Sequence, residues 1–237
     1  MRRFARAVHG RVARTLPAWA DDAIEGVAFA GRCVRYSAPR TFRTKVHYKM
    51  LHDRRPILRV LADKVAVRDY VLAEAGDLVR LPSLHGVFDC GADVAGSGAP
   101  AQRVVKAAHA SGGVIVISDD APPDAALPTP GTGWPHVSVR PDRCDGARLA
   151  ALCDHWLARA YGGGRFREWA YVDLPRRIIV EEFLQGDDGG VPPDYKFFVF
   201  DGVPRLVQVD GGRFGEHRQT FFDPSWRVVE TTYLAPR

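Results

Sequence analysis

The chain has 237 residues, of which 46% are hydrophobic and 26% are charged. This composition indicates a globular protein of one large or two small domains, and it excludes a disordered chain, a collagen and a small disulfide scaffold. No apolar run approaches the roughly 20 residues that a membrane-spanning helix needs. We therefore expect a soluble or peripheral protein of the cytoplasm. None of the four cysteines forms a CxxC pair, so free thiols are expected.

The positive charge of the chain is concentrated at its N-terminal end. Residues 1–60 hold 14 Lys/Arg and four acidic residues, whereas residues 61–237 hold 19 Lys/Arg and 24 acidic residues. The basic end is either a solvated face of N-terminal helices or a segment attracted to anionic lipid or an anionic polymer. Nucleic acid is not an expected partner, because the basic region carries no interleaved aromatic platform.

The first third of the chain has helical periodicity. Residues 2–38 are predicted to form one or two helices that end at Pro39. The helical pattern returns from Thr41 to Ala75, restarts at Pro56 and stops at Gly76. Residues 85–102 are rich in Gly, Ala and Pro, which predicts a loop.

The remainder is mainly strand, with one helix. The expected elements are two short strands within Arg103–Ser118, a helix over Ala147–Arg159, and strands at 169–173, 177–183, 194–201 and 205–210. The pair Asp201-Gly202 joins the last two strands in a hairpin. Helices followed by antiparallel strands predict an α+β fold.

Arginine so dominates the basic residues that each lysine is of interest. There are five lysines: Lys45, Lys49, Lys64, Lys106 and Lys196. Lys106 ends a predicted strand and is followed by a loop that contains Ser111, Gly112 and Gly113. Such a loop can lay its backbone N–H groups against phosphate oxygens while an ammonium supplies charge, although a glycine-containing hairpin loop is more often a simple turn. His109 in this loop is a candidate ligand or an ordinary surface histidine.

Two further segments have the character of a binding site. The strand that ends in Glu181, Glu182, Phe183 and Leu184 could hold a nucleotide base, or it could be a strand that leaves the core with solvated acids. Lys196 lies in an apolar strand on the same face as Asp194. An ammonium there either lies in water or points into a cleft that holds an anion. These signals converge on a nucleotide phosphate bound by Lys106, the glycine loop and Lys196.

The order of the short motifs resembles that of the TupA-like ATP-grasp family, which is associated with bacterial surface polysaccharide and teichuronopeptide biosynthesis. The matching motifs are Thr41-Phe42 with Lys45, Asp53-Arg54, Asp63-Lys64 with Arg68-Asp69-Tyr70-Val71, Lys106-x-x-His109-x-Ser111-Gly112, Glu181-Glu182-Phe183-Leu184, Asp194-Tyr195-Lys196-Phe197-Phe198 with Asp201-Gly202, Arg213-Phe214, and Phe222-Asp223-x-x-Trp226.

The resemblance implies a fold in which two α+β subdomains clasp a nucleotide, preceded by the basic N-terminal helices. The implied limits are residues 1–60 for the extension and 61–237 for the ATP-grasp-like domain, with subdomains at about 100–180 and 181–237. The implied ligands are ATP and Mg²⁺, and the implied reaction activates a carboxylate as an acyl phosphate for attack by an amine or other nucleophile. The substrate would be a carboxylate-bearing sugar, glycan or amino acid, and the protein would act at or near the inner membrane face.

The resemblance also assigns roles to individual residues. Lys64 and Lys106 would contact phosphates, with the loop His109–Gly113 closing over them. Glu181, Glu182, Phe183 and Leu184 would form the hinge that holds adenine, and Asp194 would belong to the nucleotide site. Lys196 and Arg213 would be catalytic, because fixed cations stabilise charge that develops on a transferred phosphoryl group.

The sequence departs from the family in one respect. The family's metal-binding strands, which contain Arg-Val-Asp and Gly-Glu-Leu-Thr, do not follow the Phe222–Trp226 motif, so no metal ligands are identified. The chain is then incomplete, or keeps the fold without full catalysis, or builds its metal site otherwise. The alternative functions are a non-catalytic nucleotide- or glycan-binding module and a sugar phosphotransferase.

Overall fold

The structure, a computed structural model, describes residues 38–162, 168–186, 190–212 and 218–231. The helices predicted within residues 2–38 therefore lie outside the described residues except for the last position. Arg213 and His217 also lie outside them.

The predicted helical region is confirmed as three helices. They are α1 (Phe42–His52), α2 (Ile57–Ala62) and α3 (Ala66–Ala75). A capping box between Thr41 and Thr44 satisfies orphan backbone N–H groups at the start of α1. Gly76 ends α3 at a φ of 51°, a left-handed value that glycine adopts without steric cost. The proline predicted to restart the helix lies directly before α2.

A five-stranded sheet forms the centre of the described fold. Its strands are β1 (Leu84–Phe88), β2 (Arg103–Ala107), β3 (Val114–Ile117), β4 (His136–Val139) and β5 (Ile178–Glu182). The spatial order is β1-β5-β2-β3-β4, and every neighbouring pair is antiparallel except β3 and β4, which are parallel. Consequently the predicted hairpin between residues 103 and 118 is confirmed, and β5 lies beside its first strand.

The core lies between this sheet and helix α5 (Gly146–Leu157). The helix buries Leu149, Leu152 and Trp156 at a spacing that places them on one face, as its sequence periodicity predicts. These side chains pack with buried strand residues such as Val105 and Ile115. Exclusion of apolar surface from water at this interface is the main stabilising contribution to this part of the chain.

The prediction of a loop over residues 85–102 is wrong. This segment contains most of β1 and a short helix, α4 (Gly91–Ala95), which packs on α5. The backbone N–H of Gly91 donates to Asp154 at 2.7 Å, and a Cβ at Gly91 would lie 2.1 Å from the carbonyl oxygen of Ala150. Glycine is therefore required by close helix approach here, whereas its abundance had suggested a loop.

Three other differences concern short strands. Residues 169–173, predicted as a strand, instead contain a 3-10 turn over Trp169–Tyr171, because tertiary contacts with α2 outweigh the apolar composition. Strand β4 was not predicted. Strand β8 (Arg218–Phe222), which pairs with the strand before it in the chain, was not predicted either.

A second, three-stranded antiparallel sheet has the order β6-β7-β8, where β6 is Asp194–Phe200 and β7 is Val203–Gly211. The turn between β6 and β7 is the predicted Asp201-Gly202 pair, with φ values of 49° and 78°. Positive φ at both positions is the signature of the type I′ hairpin turn. The ladder register shifts by one residue between Phe198 and Val199, which marks a β-bulge.

Alternation along β6 gives this second sheet two different faces. Tyr195 and Phe197 are about half exposed on one face, at 52% and 54%. Phe198 and Phe200 lie on the other, where both rings contact Phe42 of α1 at centroid distances of 5.8 and 5.9 Å. The mixed class of helices and sheets predicted from the sequence is thus confirmed. Within the described ranges, none of the helices combines the length and apolarity required to cross a bilayer.

Candidate functional site

Glu181, at the end of β5, binds two cations at once. Its Oε2 accepts from the Lys106 ammonium at 2.5 Å, and its Oε1 accepts from the Arg68 guanidinium at 2.8 Å. The Glu181 side chain is only 6% exposed. Antiparallel pairing of β2 with β5 brings Lys106 and Glu181 together, and the first turn of α3 supplies Arg68. One buried carboxylate therefore partly compensates two positive charges.

Lys64 adds a third cation beside this pair. Its ammonium donates to the carbonyl oxygen of Ala107 at 2.8 Å and to that of Ala110. Burial, followed by the charge of Lys106, lowers the pKa of Lys64 from 10.5 to about 8. Both contributions act against the charged form, and the attraction of Glu181 and Asp63 does not fully offset them.

A second ion pair fixes the segment that carries Lys64. Asp63, buried at 4% exposure, accepts from the Arg177 guanidinium at 2.6 Å and also from the backbone N–H of Val65 at 2.9 Å. Arg177 directly precedes β5, so this pair ties the start of α3 to the central sheet. Lys64, the Asp63–Arg177 pair and the group around Glu181 together contain four cations and only two carboxylates. We call this set the cationic cluster: Asp63, Lys64, Arg68, Lys106, Arg177 and Glu181.

An excess of buried positive charge is unfavourable unless an anion compensates it. Burial is the main cause of the lowered pKa of Lys64, and the charge of Lys106 contributes to it after burial. The arrangement is chemically suited to binding a multiply charged anion, such as a polyphosphate.

The glycine loop lies between β2 and β3, next to this cluster. Gly112 has a φ of 111°, and a Cβ there would lie 2.7 Å from the carbonyl oxygen of Trp134. Gly113 is buried, with a φ of 64°, whereas Ser111 is exposed and its hydroxyl hydrogen-bonds with the Tyr161 side chain. The loop is therefore a tightly packed turn whose exposed residue is Ser111.

His109 points into the protein interior. It is 1% exposed, and its Nε2 lies 3.2 Å from the carbonyl oxygens of both Trp156 and Arg159. Burial lowers its pKa, so the neutral ring is favoured. Its position joins the loop to α5 and is not on the side of the loop where Ser111 is exposed.

The predicted hinge follows β5. The Glu182 carboxylate accepts from the backbone N–H and the hydroxyl of Ser83, both at 2.9 Å, and these bonds lower its pKa. The Glu182 backbone N–H donates to the Ser83 carbonyl at 2.8 Å, so this N–H cannot also serve a base. Phe183 is half-buried and Leu184 is 41% exposed, which leaves apolar surface at the strand end.

A second cluster lies on the three-stranded sheet. The Lys196 ammonium lies between two carboxylates: it donates to Asp194 at 2.5 Å and to Asp210. Asp194 and Asp210 are direct cross-strand partners in the β6–β7 ladder. We call this set the hairpin cluster: Asp194, Lys196, Gln208, Asp210 and Gln219.

Hydrogen bonds determine the charge states of the hairpin cluster. Burial acts to raise the pKa of Asp210, but bonds from Lys196, Gln219 and Gln208 outweigh burial and hold the pKa at about 2. Burial likewise acts to lower the pKa of Lys196, and the bonds to its two carboxylates outweigh it and raise the pKa. Lys196 is therefore a firmly held, charged ammonium on the face of the sheet that also packs on α1.

The structure groups the predicted residues as follows. Lys64, Lys106 and Glu181 are brought together in the cationic cluster, and Asp194 and Lys196 in the hairpin cluster on the other sheet. Arg213, predicted as catalytic, lies outside the described residues. The sequence did not predict that Arg68 binds Glu181 at this site. It also did not predict the ion pair between Asp63 and Arg177. Arg68 was within a recognised motif, but sequence alone does not pair α3 with β5.

The described residues were also compared with the ligand set that a bound metal ion requires. In the part of the chain that the structure describes, no three His, Cys, Asp or Glu side chains cluster as a metal site would require. Asp194 and Asp210 are hard oxygen donors of the type that Mg²⁺ prefers, but both bind the Lys196 ammonium. The described residues therefore do not fit a protein-built magnesium site.

Comparison with known proteins places the C-terminal part of the chain in a family. The sequence model described as TupA-like ATPgrasp matches residues 152–236. This range contains β5 to β8 and the acidic residues Glu181, Asp194 and Asp210, whereas Asp63, Lys64, Arg68 and Lys106 of the cationic cluster precede it. No curated protein and no solved structure matches the chain significantly. The match supports, over residues 152–236, the TupA-like ATP-grasp family that the motifs indicated.

Proposed function

We propose that this chain binds ATP and that the cationic cluster receives its phosphates. The observation that carries the proposal is the excess of positive charge around Glu181: Lys106 and Arg68 share this one buried carboxylate, and Lys64, whose ammonium binds only backbone carbonyl oxygens, lies beside them. A polyphosphate would supply the missing negative charge, and ammonium groups are effective point charges for phosphate. Proteins of the ATP-grasp family generally bind ATP and Mg²⁺, which agrees with this assignment.

The loop and the hinge have supporting roles in the proposal. Ser111 approaches the phosphates from the exposed side of its turn. Gly112 and Gly113 permit the tight packing of that turn, and His109 supports it from inside. Glu182, Phe183 and Leu184 contact adenine at the end of β5, where Phe183 and Leu184 leave apolar surface next to polar backbone atoms.

Lys196 and Arg213 are proposed to stabilise charge on the transferred phosphoryl group. The support for Lys196 is its fixed ammonium, which Asp194 and Asp210 orient from two strands. A cation held in place before reaction stabilises developing negative charge without a reorganisation cost. The two sheets then represent the two subdomains of the nucleotide clasp, with domain limits near residues 60 and 180.

The proposed reaction is ligation through an acyl phosphate. A substrate carboxylate oxygen would attack the γ-phosphorus with ADP as leaving group, and an amine or other nucleophile would then attack the acyl carbon and release phosphate. The substrate class is a carboxylate-bearing sugar, glycan or amino acid of bacterial surface polysaccharide biosynthesis. The basic segment of residues 1–60 would favour peripheral contact with the inner membrane face.

A second candidate is a nucleotide-binding module without catalysis. One observation favours it: the Lys196 ammonium already binds both carboxylates that lie on adjacent strands of the second sheet. Phosphoryl transfer in known enzymes relies on metal ions to neutralise phosphate oxygens. The described residues do not fit such a site.

Calorimetric titration of the full chain with four ligands tests the proposal. We expect ATP, ADP and inorganic tripolyphosphate to bind and adenosine to bind at least about tenfold more weakly than ATP, because phosphate contacts supply the affinity. Equal binding of adenosine and ATP, or no binding of ATP, would contradict the proposal. Trapping of an acyl phosphate by hydroxylamine, in the presence of ATP, Mg²⁺ and candidate carboxylates, would distinguish the ligase from the non-catalytic module.

A further inference from the structure

The feature of interest is the sharing of Glu181 between Arg68 and Lys106, and the inference rests on the proposed function of the cationic cluster. Lys106 binds one carboxylate oxygen and Arg68 binds the other. In this arrangement the ammonium of Lys106 is engaged by Glu181, yet the proposed function requires it to meet a phosphate. If the ammonium turns fully to the phosphate, Lys106 exchanges one anionic partner for another and leaves Glu181.

Moving the Lys106 ammonium away from Glu181 would cost free energy if Glu181 had no other cationic partner. The Glu181 side chain is 6% exposed, so a carboxylate without a partner would be left in a poorly solvated place. Loss of one partner from a buried charge pair is strongly unfavourable, because the remaining charge has neither water nor a counter-ion. This cost would be subtracted directly from the affinity for phosphate.

Arg68 is held in a way that keeps it at Glu181 when Lys106 moves. Its second terminal nitrogen donates to the carbonyl oxygen of Pro82 at 2.5 Å, in the segment just before β1. The side chain is 15% exposed, whereas that of Lys106 is 28% exposed. Arg68 is thus the more enclosed and doubly anchored cation, and Lys106 is the more accessible one.

We propose that Arg68 is a positioning residue that acts as the standing counter-ion of Glu181 and so releases Lys106 to bind the nucleotide phosphates. Arg68 does not touch the ligand in this arrangement. It lowers the free energy of the bound state by keeping the buried carboxylate paired after Lys106 has turned to the phosphate.

A double-mutant cycle with Arg68→Met and Glu181→Gln tests the proposal, with ATP and inorganic tripolyphosphate as the titrated ligands. We expect Arg68→Met to weaken the binding of both by about tenfold or more, because Lys106 must then abandon an unpaired carboxylate. Glu181→Gln removes that carboxylate, so the same Arg68→Met change made in its background should cost less than about twofold. Arg68→Lys should retain most of the affinity, since it keeps a cation at Glu181.

Three outcomes would overturn the proposal. The first is an unchanged affinity of the Arg68→Met variant for tripolyphosphate. The second is a loss of affinity on Arg68→Met that is equally large in the Glu181→Gln background. The third is a loss of affinity in Arg68→Met that is explained by the fraction of unfolded protein measured by thermal denaturation. The role of Arg68 can be tested separately from the binding of ATP. If the wild-type chain binds tripolyphosphate but not ATP, the ATP assignment fails, while the cycle with tripolyphosphate still decides the role of Arg68.

Discussion

At the scale of single residues, the positions of a few charged side chains account for the proposed chemistry. Lys64 and Lys106 were recognisable because lysine is rare in this chain, and both prove to be held by specific partners on the central sheet. The ion pairs of this site were not recognisable in the same way. Only tertiary contacts between helix and sheet reveal that Glu181 binds Arg68 and Lys106 and that Asp63 binds Arg177.

The lowered pKa of Lys64 predicts a pH dependence of anion binding. Lys64 loses its proton above a pH of about 8 in the free protein, and a bound polyanion favours the charged form and raises this pKa. Tripolyphosphate should therefore bind more weakly as the pH rises from about 8 to 9.5, by at most about tenfold per unit. Proton uptake is measured by calorimetry in two buffers of different ionisation enthalpy.

The Lys64→Met variant provides the control for this titration. It should show weaker binding at neutral pH and no proton uptake near pH 8, whereas Lys49→Met, at an exposed lysine of α1, should behave like the unmodified chain. Proton uptake that persists in Lys64→Met would assign the titration to another group.

Asp210 predicts a stability effect in acid. Its pKa is about 2 in the folded state and 3.8 for the reference carboxyl, so its contribution is full above about pH 4 and is lost as the pH falls toward 2. Asp210→Asn should lower the free energy of unfolding by about 1–3 kcal/mol at neutral pH, because the buried partners of the carboxylate lose a charged acceptor. Denaturant unfolding at pH 7 and pH 3 measures the change.

Asp194→Asn is the matched control for that comparison. Asp194 also binds Lys196, but its side chain is 37% exposed, and exposed ion pairs contribute less than about 1 kcal/mol. Two results would contradict the stabilising role of the Asp210 carboxylate. The first is an equal loss of unfolding free energy in Asp194→Asn and Asp210→Asn. The second is a loss in Asp210→Asn that is as large at pH 3 as at pH 7.

At the scale of elements, the β6–β7 hairpin shows how far sequence reasoning extends. The Asp201-Gly202 turn was predictable from its residue types alone, and a simple two-residue hairpin would pair Asp194 with Val209. The one-residue bulge near Pro204 shifts the register, so that Asp194 faces Asp210 and Lys196 faces Gln208. Because side chains alternate, that single shift places Gln208 and Asp210 on the face that carries Lys196.

The glycine loop offers a test at the same scale. Gly112→Ala should reduce the free energy of unfolding by more than about 2 kcal/mol, because it combines positive φ with a Cβ placed 2.7 Å from the Trp134 carbonyl oxygen. Gly98→Ala is the matched control: it has a φ of 65° with no atom within 4 Å, so only the backbone cost of about 1 kcal/mol applies. Thermal denaturation measures the stability of both variants. An equal loss of stability in Gly112→Ala and Gly98→Ala would show that the Cβ at position 112 does not clash with Trp134.

At the scale of the whole molecule, the sequence predicted a mixed fold and a family that the C-terminal match confirms. It did not predict the strand order β1-β5-β2-β3-β4, since the pairing of β5 between two strands that are distant in sequence is fixed by packing on α5 rather than by local pattern. The same non-local pairing is what brings Lys106 to Glu181. The site therefore depends on topology, whereas its residue types are visible in the sequence.

The charge asymmetry of the chain leads to a prediction at this scale. The full chain should bind vesicles that contain anionic lipid, with an affinity that falls as salt rises through about 0.15 M, because residues 1–60 carry all of the excess positive charge. Vesicles of zwitterionic lipid alone serve as the control in a flotation assay. Binding to both kinds of vesicle, or to neither, would remove the proposed membrane contact.

The central claim is that the cationic cluster binds the phosphates of ATP, and the most direct measurement is the ATP affinity of Lys106→Met beside that of Lys49→Met. Both variants remove one ammonium, the first next to Glu181 and the second from an exposed position on α1. We expect Lys106→Met to weaken ATP binding by about tenfold or more and Lys49→Met to leave it unchanged. Equal ATP affinity in the two variants, with both folded, would contradict the claim.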